Sequence, residues 1–175
     1  MHIIGQQERG GQGDSIPLST RKGTPIENSV MKPRKIPPEE KWRMDGLSGI
    51  HSLSMSQQSQ IENTNEADTS YNCVGMVFGS RRVHICPSQI PLVLQEDDYQ
   101  EVGPDDILVG DVVTWQDTDG DFNHIGVIVA VELKRNIRFP RVLSKWGNGG
   151  ERIHPPRLVP TVYGPTIKYW RVCRA

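Results

Sequence analysis

A cysteine in SYNCVGMVFG (70–79) and a histidine in NHIGVIVAV (123–131) have the types and setting for nucleophilic chemistry. Cys73 stands where a polar turn meets a short apolar run, and Asn72 before it is a predicted helix N-cap. A cysteine at such a helix start is placed to react as a thiolate. A thiol nucleophile needs a nearby base, and His124 opens an apolar strand directly after a turn. The alternatives are a buried, inert Cys73 and a His124 that only ends a hairpin.

Three segments around these residues resemble motifs of the NlpC-type cell-wall cysteine peptidases. YNCVGMVFG is similar to the family's cysteine motif, VGDVVTW (109–115) to its glycine–aspartate strand, and NHIGVIVAV to its histidine strand. The three occur in the family's order within residues 68–146. The resemblance implies a papain-like α+β fold, with Cys73 as nucleophile and His124 as general base. It also implies hydrolysis of an amide in the peptide stem of peptidoglycan, often next to D-glutamate.

The same resemblance places the third catalytic group, a polar residue on the strand after the base, at Ser144 in VLSKW. Ser144 can accept a hydrogen bond from an imidazole but cannot balance its charge as a carboxylate would. His154, in GGERIHPP, is the rival orienting residue if the glycine-rich loop 147–150 folds back. Asn72 replaces the family's usual aspartate, and capping alone is an equal alternative for it.

Candidate substrate-binding residues flank these positions. Tyr71 directly precedes the cysteine segment and Trp146 follows the strand of Ser144, so we expect both, with Asn72 and His154, to shape a groove. Tyr71 and Trp146 as plain core residues are the alternative. Arg81 and Arg82 are expected at a solvated surface.

Composition limits the partners. The 175 residues carry a net charge of −1, which gives no electrostatic case for nucleic acid or an anionic membrane. No run approaches the roughly 18 apolar residues of a membrane span. The three cysteines form no CxxC pair, so no metal or other cofactor is expected, and Cys86 and Cys173 are interpreted as structural, buried or inert. The turn DTDGD (117–121) lacks the spacing of a calcium loop.

No basic start followed by an apolar core marks a secretory signal, so we expect a cytoplasmic protein or export by another route. We also expect a monomer whose partner is a peptide or a peptidoglycan-like substrate.

Residues 1–61 are predicted as a disordered or loosely packed arm, because they are rich in Gly, Ser, Pro and Gln. Trp42, Leu47 and Ile50 are the expected anchors, and a small helix near 39–52 is the alternative. Residues 62–175 are predicted as one papain-like hydrolase domain.

The domain is predicted to begin with helices and to continue with antiparallel strands, an α+β order. The predicted helices cover 73–79 and 88–97. The predicted strands cover 111–116, 124–132, 141–146 and 167–172, the last of them an edge or closing strand. Gly75 is expected to allow close approach of substrate or of another strand.

Three other functions fit the same motifs. An acyltransferase would replace water by another acceptor, and a deamidase or protease would act on a folded protein. A degenerate papain-like binding module would keep the fold without turnover.

Overall fold

The computed structural model describes residues 14–47, 50 and 53–173. Within them the chain forms four α-helices and nine β-strands, joined by turns that include short 3₁₀ segments at Pro87–Gln89 and Thr161–Tyr163. The helices are α1 (Pro38–Leu47), α2 (Met55–Gln58), α3 (Cys73–Phe78) and α4 (Ile90–Glu96). The strands are β1 (Asn28–Ser29), β2 (Glu62–Asn63), β3 (His84–Ile85), β4 (Tyr99–Val102), β5 (Val112–Gln116), β6 (Phe122–Lys134), β7 (Ile137–Lys145), β8 (Glu151–His154) and β9 (Thr166–Val172).

One antiparallel sheet of seven strands carries the fold. Its strand order is β2-β8-β7-β6-β5-β9-β4, and β1 and β3 pair separately. The long β6 and β7 form a hairpin whose turn residues Arg135 and Asn136 have φ of 51° and 63°. Positive φ at both central residues is the geometry that matches the twist of a hairpin. The predicted α+β class, with helices packed against a mainly antiparallel sheet, is confirmed.

The two faces of the sheet bury different cores. Successive side chains of a strand alternate between faces, so neighbours such as Val112 and Val113 point in opposite directions. One cluster joins Val112 and Ile125 to the buried faces of α3 and α4. The other joins Val113, Trp115, Ile128 and Val142 on the opposite face. Because Ile125 belongs to the first cluster, His124 beside it projects toward the second.

Helix α3 packs tightly because of Gly75. A Cβ on this residue would lie 1.7 Å from the carbonyl oxygen of Val83. The backbone leading into β3 can therefore approach the helix only where no side chain stands in between. Of the two roles that the sequence suggests for Gly75, the packing of backbone against the helix is the one that the structure contains.

The N-terminal segment differs from its prediction as a loose arm. Strand β1 pairs with β3, and Ile26 is buried in the cluster of α3. Ile16, Leu18 and Val30 pack against the same cluster, so the segment has enough apolar side chains to dock. The prediction for residues 1–61 is therefore corrected for 14–30, and residues 1–13 lie outside the described part.

The expected anchors of the arm behave differently from one another. Trp42 is 69% exposed on α1, and Ile50 is half-buried at the lining of a cavity. The side chain of Leu47 lies outside the described residues. Helix α1 overlaps the alternative predicted helix near 39–52 and begins one residue before it.

The elements that the sequence predicted for residues 62–175 are present in the structure, but several further strands were not predicted. Helix α3 and strands β5 and β6 lie where they were predicted, and α4 follows a 3₁₀ turn within the predicted second helix. The short strands β1, β2 and β3 and the strands β4 and β8 were not predicted. Strand β9 was expected as an edge or closing strand, and it lies inside the sheet between β5 and β4. Along the described chain, no helix has the length and apolar character to cross a membrane.

Candidate active site

Cys73 occupies the first position of α3 and is almost closed off from solvent. It is 8% exposed, and its sulfur lies beside the backbone N–H groups of Ile125, Val74 and its own residue. Burial raises the pKa of the thiol to about 11, although these N–H groups and Lys145 act in the opposite direction. The thiol is therefore protonated at neutral pH in this conformation.

Asn72 holds the start of the helix. Its side-chain oxygen accepts hydrogen bonds from the backbone N–H of Gly75 at 2.9 Å and of Ile85 at 3.2 Å. Its side-chain N–H donates to the carbonyl oxygen of Ile85 at 2.7 Å. These bonds are an N-cap and a link to β3, while a part in substrate binding stays a prediction.

His124 has no exposed surface and lies among aromatic rings. Its ring stacks on Tyr163 with centroids 3.9 Å apart and planes 7° from parallel, and Trp115 lies tilted at 5.1 Å. Neither ring nitrogen has a hydrogen-bond partner among the residues that the structure describes. Burial lowers the pKa of His124 well below its ordinary value, and His154 adds to the shift. The imidazole is consequently neutral, the form in which it can accept a proton.

The two candidate orienting residues bind each other. The Trp146 indole N–H donates to Ser144 Oγ at 2.9 Å, and Ser144 Oγ lies 2.7 Å from His154 Nε2. His154 Nδ1 faces the carbonyl oxygen of Pro155 at 2.9 Å, so this nitrogen carries the hydrogen and Nε2 accepts from the serine. Burial lowers the pKa of His154 to about 4, which keeps this tautomer neutral.

This arrangement differs from the predicted triad. Ser144 and His154 were each expected to orient His124, yet within the described chain neither makes a hydrogen bond to it. The glycine-rich loop 147–150 folds back as the rival prediction required, because β7 and β8 pair antiparallel, but it brings His154 to Ser144 and not to His124. Trp146 is buried within the same network, so its predicted place in a substrate groove stays a prediction.

A second polar cluster lies on the cysteine side of the sheet. Glu151 is 2% exposed and accepts a hydrogen bond from the Tyr71 hydroxyl at 2.7 Å. Arg81 binds the same carboxylate through Nε at 2.5 Å and Nη2 at 3.0 Å. Burial alone would raise the pKa of Glu151, but Arg81 and Tyr71 hold it below its ordinary value. The expectation of a merely solvated Arg81 is therefore corrected.

Lys145 connects this cluster to the cysteine turn. Its side chain is buried, and Nζ donates to the carbonyl oxygens of Asp68 and Gly149, both at 2.6 Å. The ammonium also lies 4.7 Å from the centre of the Tyr71 ring. Burial lowers the pKa of Lys145 to about 8, while Asp68, Glu151 and Cys73 act to raise it. A titratable cation thus lies against the turn that leads to the thiol.

Sequence reasoning missed Lys145, Glu151 and Tyr163. Lys145 shares a face of β7 with Leu143, and that alternation was the available signal. Tyr163 stands in a proline-rich connection with no periodic pattern, so its approach to His124 had no local signal. The two other cysteines, Cys86 and Cys173, are free and exposed, which corrects any buried role for them.

A groove of about 940 Å³ runs beside the start of α3. Its lining includes Asn72 and Asn148, together with Thr69, His84, Ile85 and Cys86. The volume lies within the range of ligand sites in proteins. It is an open surface next to the cysteine helix, while Cys73 and His124 themselves lie below the surface.

Comparison of the chain with known protein families, with curated proteins and with solved structures found no match.

Proposed function

We propose that this protein is a cysteine-dependent amide hydrolase with a papain-like domain of the NlpC type. The observation that carries the proposal is the packing of α3 on β6. It puts the Cys73 sulfur beside the backbone N–H of Ile125, the residue that follows His124. The thiol thus lies against the backbone of the strand that carries the neutral imidazole, next to an open groove. The imidazole itself projects toward the other face of the sheet, so the reaction requires a rearrangement that brings the two groups into contact.

The reaction proceeds through an acyl-enzyme. His124 takes the proton of the Cys73 thiol as the sulfur attacks the carbonyl carbon of the substrate, because the raised pKa of the thiol leaves no resting thiolate. The backbone N–H groups of Cys73 and one neighbour hold the oxyanion. The C–N bond then breaks, and the amine leaves with the proton from His124. Water, deprotonated by His124, cleaves the thioester and restores the thiol.

The substrate that we propose is a peptide amide, with peptidoglycan stem peptides as the first class to test. This part of the proposal depends on the three motifs around Cys73, Gly110–Asp111 and His124.

A specific observation favours one rival, a binding module without turnover. His124 is fully buried without an orienting hydrogen bond in the described chain, and burial raises the pKa of Cys73. Such a module would use the groove beside α3 and leave the thiol inert.

The deciding experiment is cleavage of a defined peptide panel followed by mass spectrometry. The panel contains stem peptides with D-residues and all-L peptides of the same composition. The protein is compared with Cys73→Ala, His124→Ala and Cys173→Ala, since Cys173 is an exposed thiol outside the groove and the proposed site. We expect cleavage by the unmodified chain and by Cys173→Ala, and at least a hundredfold loss in the other two variants.

Cleavage that survives Cys73→Ala would exclude the proposed nucleophile. If no peptide is cleaved but stem peptides quench the tryptophan fluorescence of the protein and of Cys73→Ala alike, the binding module is the correct function.

A further inference from the structure

The Tyr163 ring covers the imidazole that the proposed reaction needs. The two rings are nearly parallel and 3.9 Å apart, which is direct contact with no space between them for a substrate. The Trp115 ring also lies beside the imidazole, tilted relative to it, with the two ring centroids 5.1 Å apart. Since His124 has no exposed surface, its proton-accepting nitrogens are reached only after a neighbour moves.

Tyr163 also lies close to the thiol. Burial raises the pKa of its hydroxyl, and the proximity of Cys73 adds to this, whereas a backbone N–H of Gly147 acts against it. The phenol thus extends from His124 toward the glycine-rich loop. Its ring covers the imidazole, and its hydroxyl lies on the side of the thiol.

The covering segment, residues 155–165, is held by few bonds, and we call it the strap. Its contacts to the sheet include the Trp115 indole N–H, which donates to the carbonyl oxygen of Pro156 at 3.0 Å. Within the strap, backbone bonds join Leu158 to Pro155 and Tyr163 to Pro160. Thr161 and Val162 are exposed, and Tyr163 itself is only half-buried.

The strap packs on the sheet through only some of its side chains. Val159 and Tyr163 contact the apolar cluster on that face, whereas Thr161, Val162 and Pro165 are exposed. An open pocket of about 280 Å³ is lined by strap residues, among them Val159, Thr161 and Gly164, together with Trp115 and Ile167. A partly exposed segment with few hydrogen bonds is of the kind that opens locally without global unfolding. Gly164 fixes its end, with φ of 99° and no room for a Cβ, which would lie 2.1 Å from the carbonyl oxygen of Gln116.

We propose that Tyr163 is the gate of the candidate active site, and that the strap holds the site closed until it is displaced outward. A peptide substrate then enters the space that the phenol ring leaves beside His124 and Cys73. The idea that the gate admits a peptide substrate rests on the proposed function. The covering of His124 by Tyr163 rests only on the contact between the two rings.

The test is the alkylation rate of Cys73 by iodoacetamide at pH 8, measured by peptide mapping. The exposed Cys86 in the same molecule is the internal reference. Tyr163→Ala removes the gate, Tyr163→Phe keeps the stacked ring, and Val162→Ala changes an exposed neighbour in the same 3₁₀ turn. We expect the Cys73-to-Cys86 rate ratio to rise at least tenfold in Tyr163→Ala and to stay within twofold in the two controls.

A second variant, Gly164→Ala, tests the same proposal in case Tyr163→Ala does not fold. Gly164→Ala pushes the strap away from β5 by the overlap with Gln116 and leaves Tyr163 in the chain. It should also raise the ratio. An unchanged ratio in both Tyr163→Ala and Gly164→Ala, each with retained circular dichroism, overturns the gate.

Adding His124→Ala to Tyr163→Ala separates the gate from the function. If the ratio rises in Tyr163→Ala and falls back at least fivefold in the double variant, both the gate and the thiol–imidazole pair are supported. If it rises and the double variant stays equally fast, the gate is correct and the proposed base is wrong. If Tyr163→Ala does not raise the Cys73-to-Cys86 rate ratio, the proposed gating role of Tyr163 is wrong, whatever the result of the peptide-cleavage experiment.

Discussion

Replacing Arg81 by methionine tests whether the buried Glu151 cluster stabilises the start of α3. The change keeps an apolar stem but removes both guanidinium bonds to a carboxylate that is 2% exposed. Hydrogen bonds to charged groups are worth about 1.5–3 kcal/mol each. Removing one partner of a buried ion pair costs about 3–5 kcal/mol.

The expected loss is smaller than these figures because water screens the cation. The Arg81 side chain is 44% exposed, so we expect the free energy of unfolding to fall by about 2 kcal/mol. With a urea m-value of about 2 kcal/mol per molar, the unfolding midpoint falls by about 1 M. The measurement is urea unfolding followed by tryptophan fluorescence, with Arg82→Met, an exposed neighbour, as the matched control.

The pH dependence of this loss has a definite sign. Because the pKa of Glu151 is lowered in the folded state, its contribution is present above the unfolded value of about 4.3 and disappears as pH falls through the folded value. The difference between the unmodified chain and Arg81→Met should be largest at pH 7 and should shrink as the pH falls below about 4. Equal midpoints for Arg81→Met and Arg82→Met at pH 7, or a deficit that does not shrink as the pH is lowered through the acid range, would refute the reasoning.

Two further predictions concern packing and the buried lysine. Gly75→Ala should lower the free energy of unfolding by about 3 kcal/mol or more, because the added Cβ overlaps the Val83 carbonyl. The control Gly103→Ala, whose added Cβ meets no atom closer than 3.8 Å, should leave the thermal midpoint nearly unchanged. Similar thermal midpoints for the two variants would disprove the overlap. Because burial lowers the pKa of Lys145 to about 8, the unfolded chain binds the extra proton between about pH 8 and 10.4, so stability relative to Lys145→Met should rise across that range. Comparing the two proteins removes the opposite contribution of Cys73, and a constant difference from pH 7 to 10 would contradict a buried ammonium.

The elements that the sequence predicted are those whose signals are local. Asn72 before an apolar run predicted the start of α3, and the apolar stretch after His124 predicted β6. Strand β8 was not predicted because three of its four residues are polar or charged, and the burial of these three depends on partners elsewhere in the chain. The docking of Ile26 was not predicted for a related reason: a few apolar residues in a polar segment form no periodic hydrophobic pattern.

The sequence by itself determined that a cysteine begins a short helix and that a histidine lies on a buried strand of an antiparallel sheet. Only the tertiary structure decided what surrounds them. Strand alternation turns His124 toward Tyr163 and Trp115, and long-range pairing of β7 with β8 joins Ser144 to His154 instead of to His124. The physical reason is that propensity and capping act between near neighbours in sequence, whereas burial, hydrogen-bond partners and pKa depend on residues brought together by the fold.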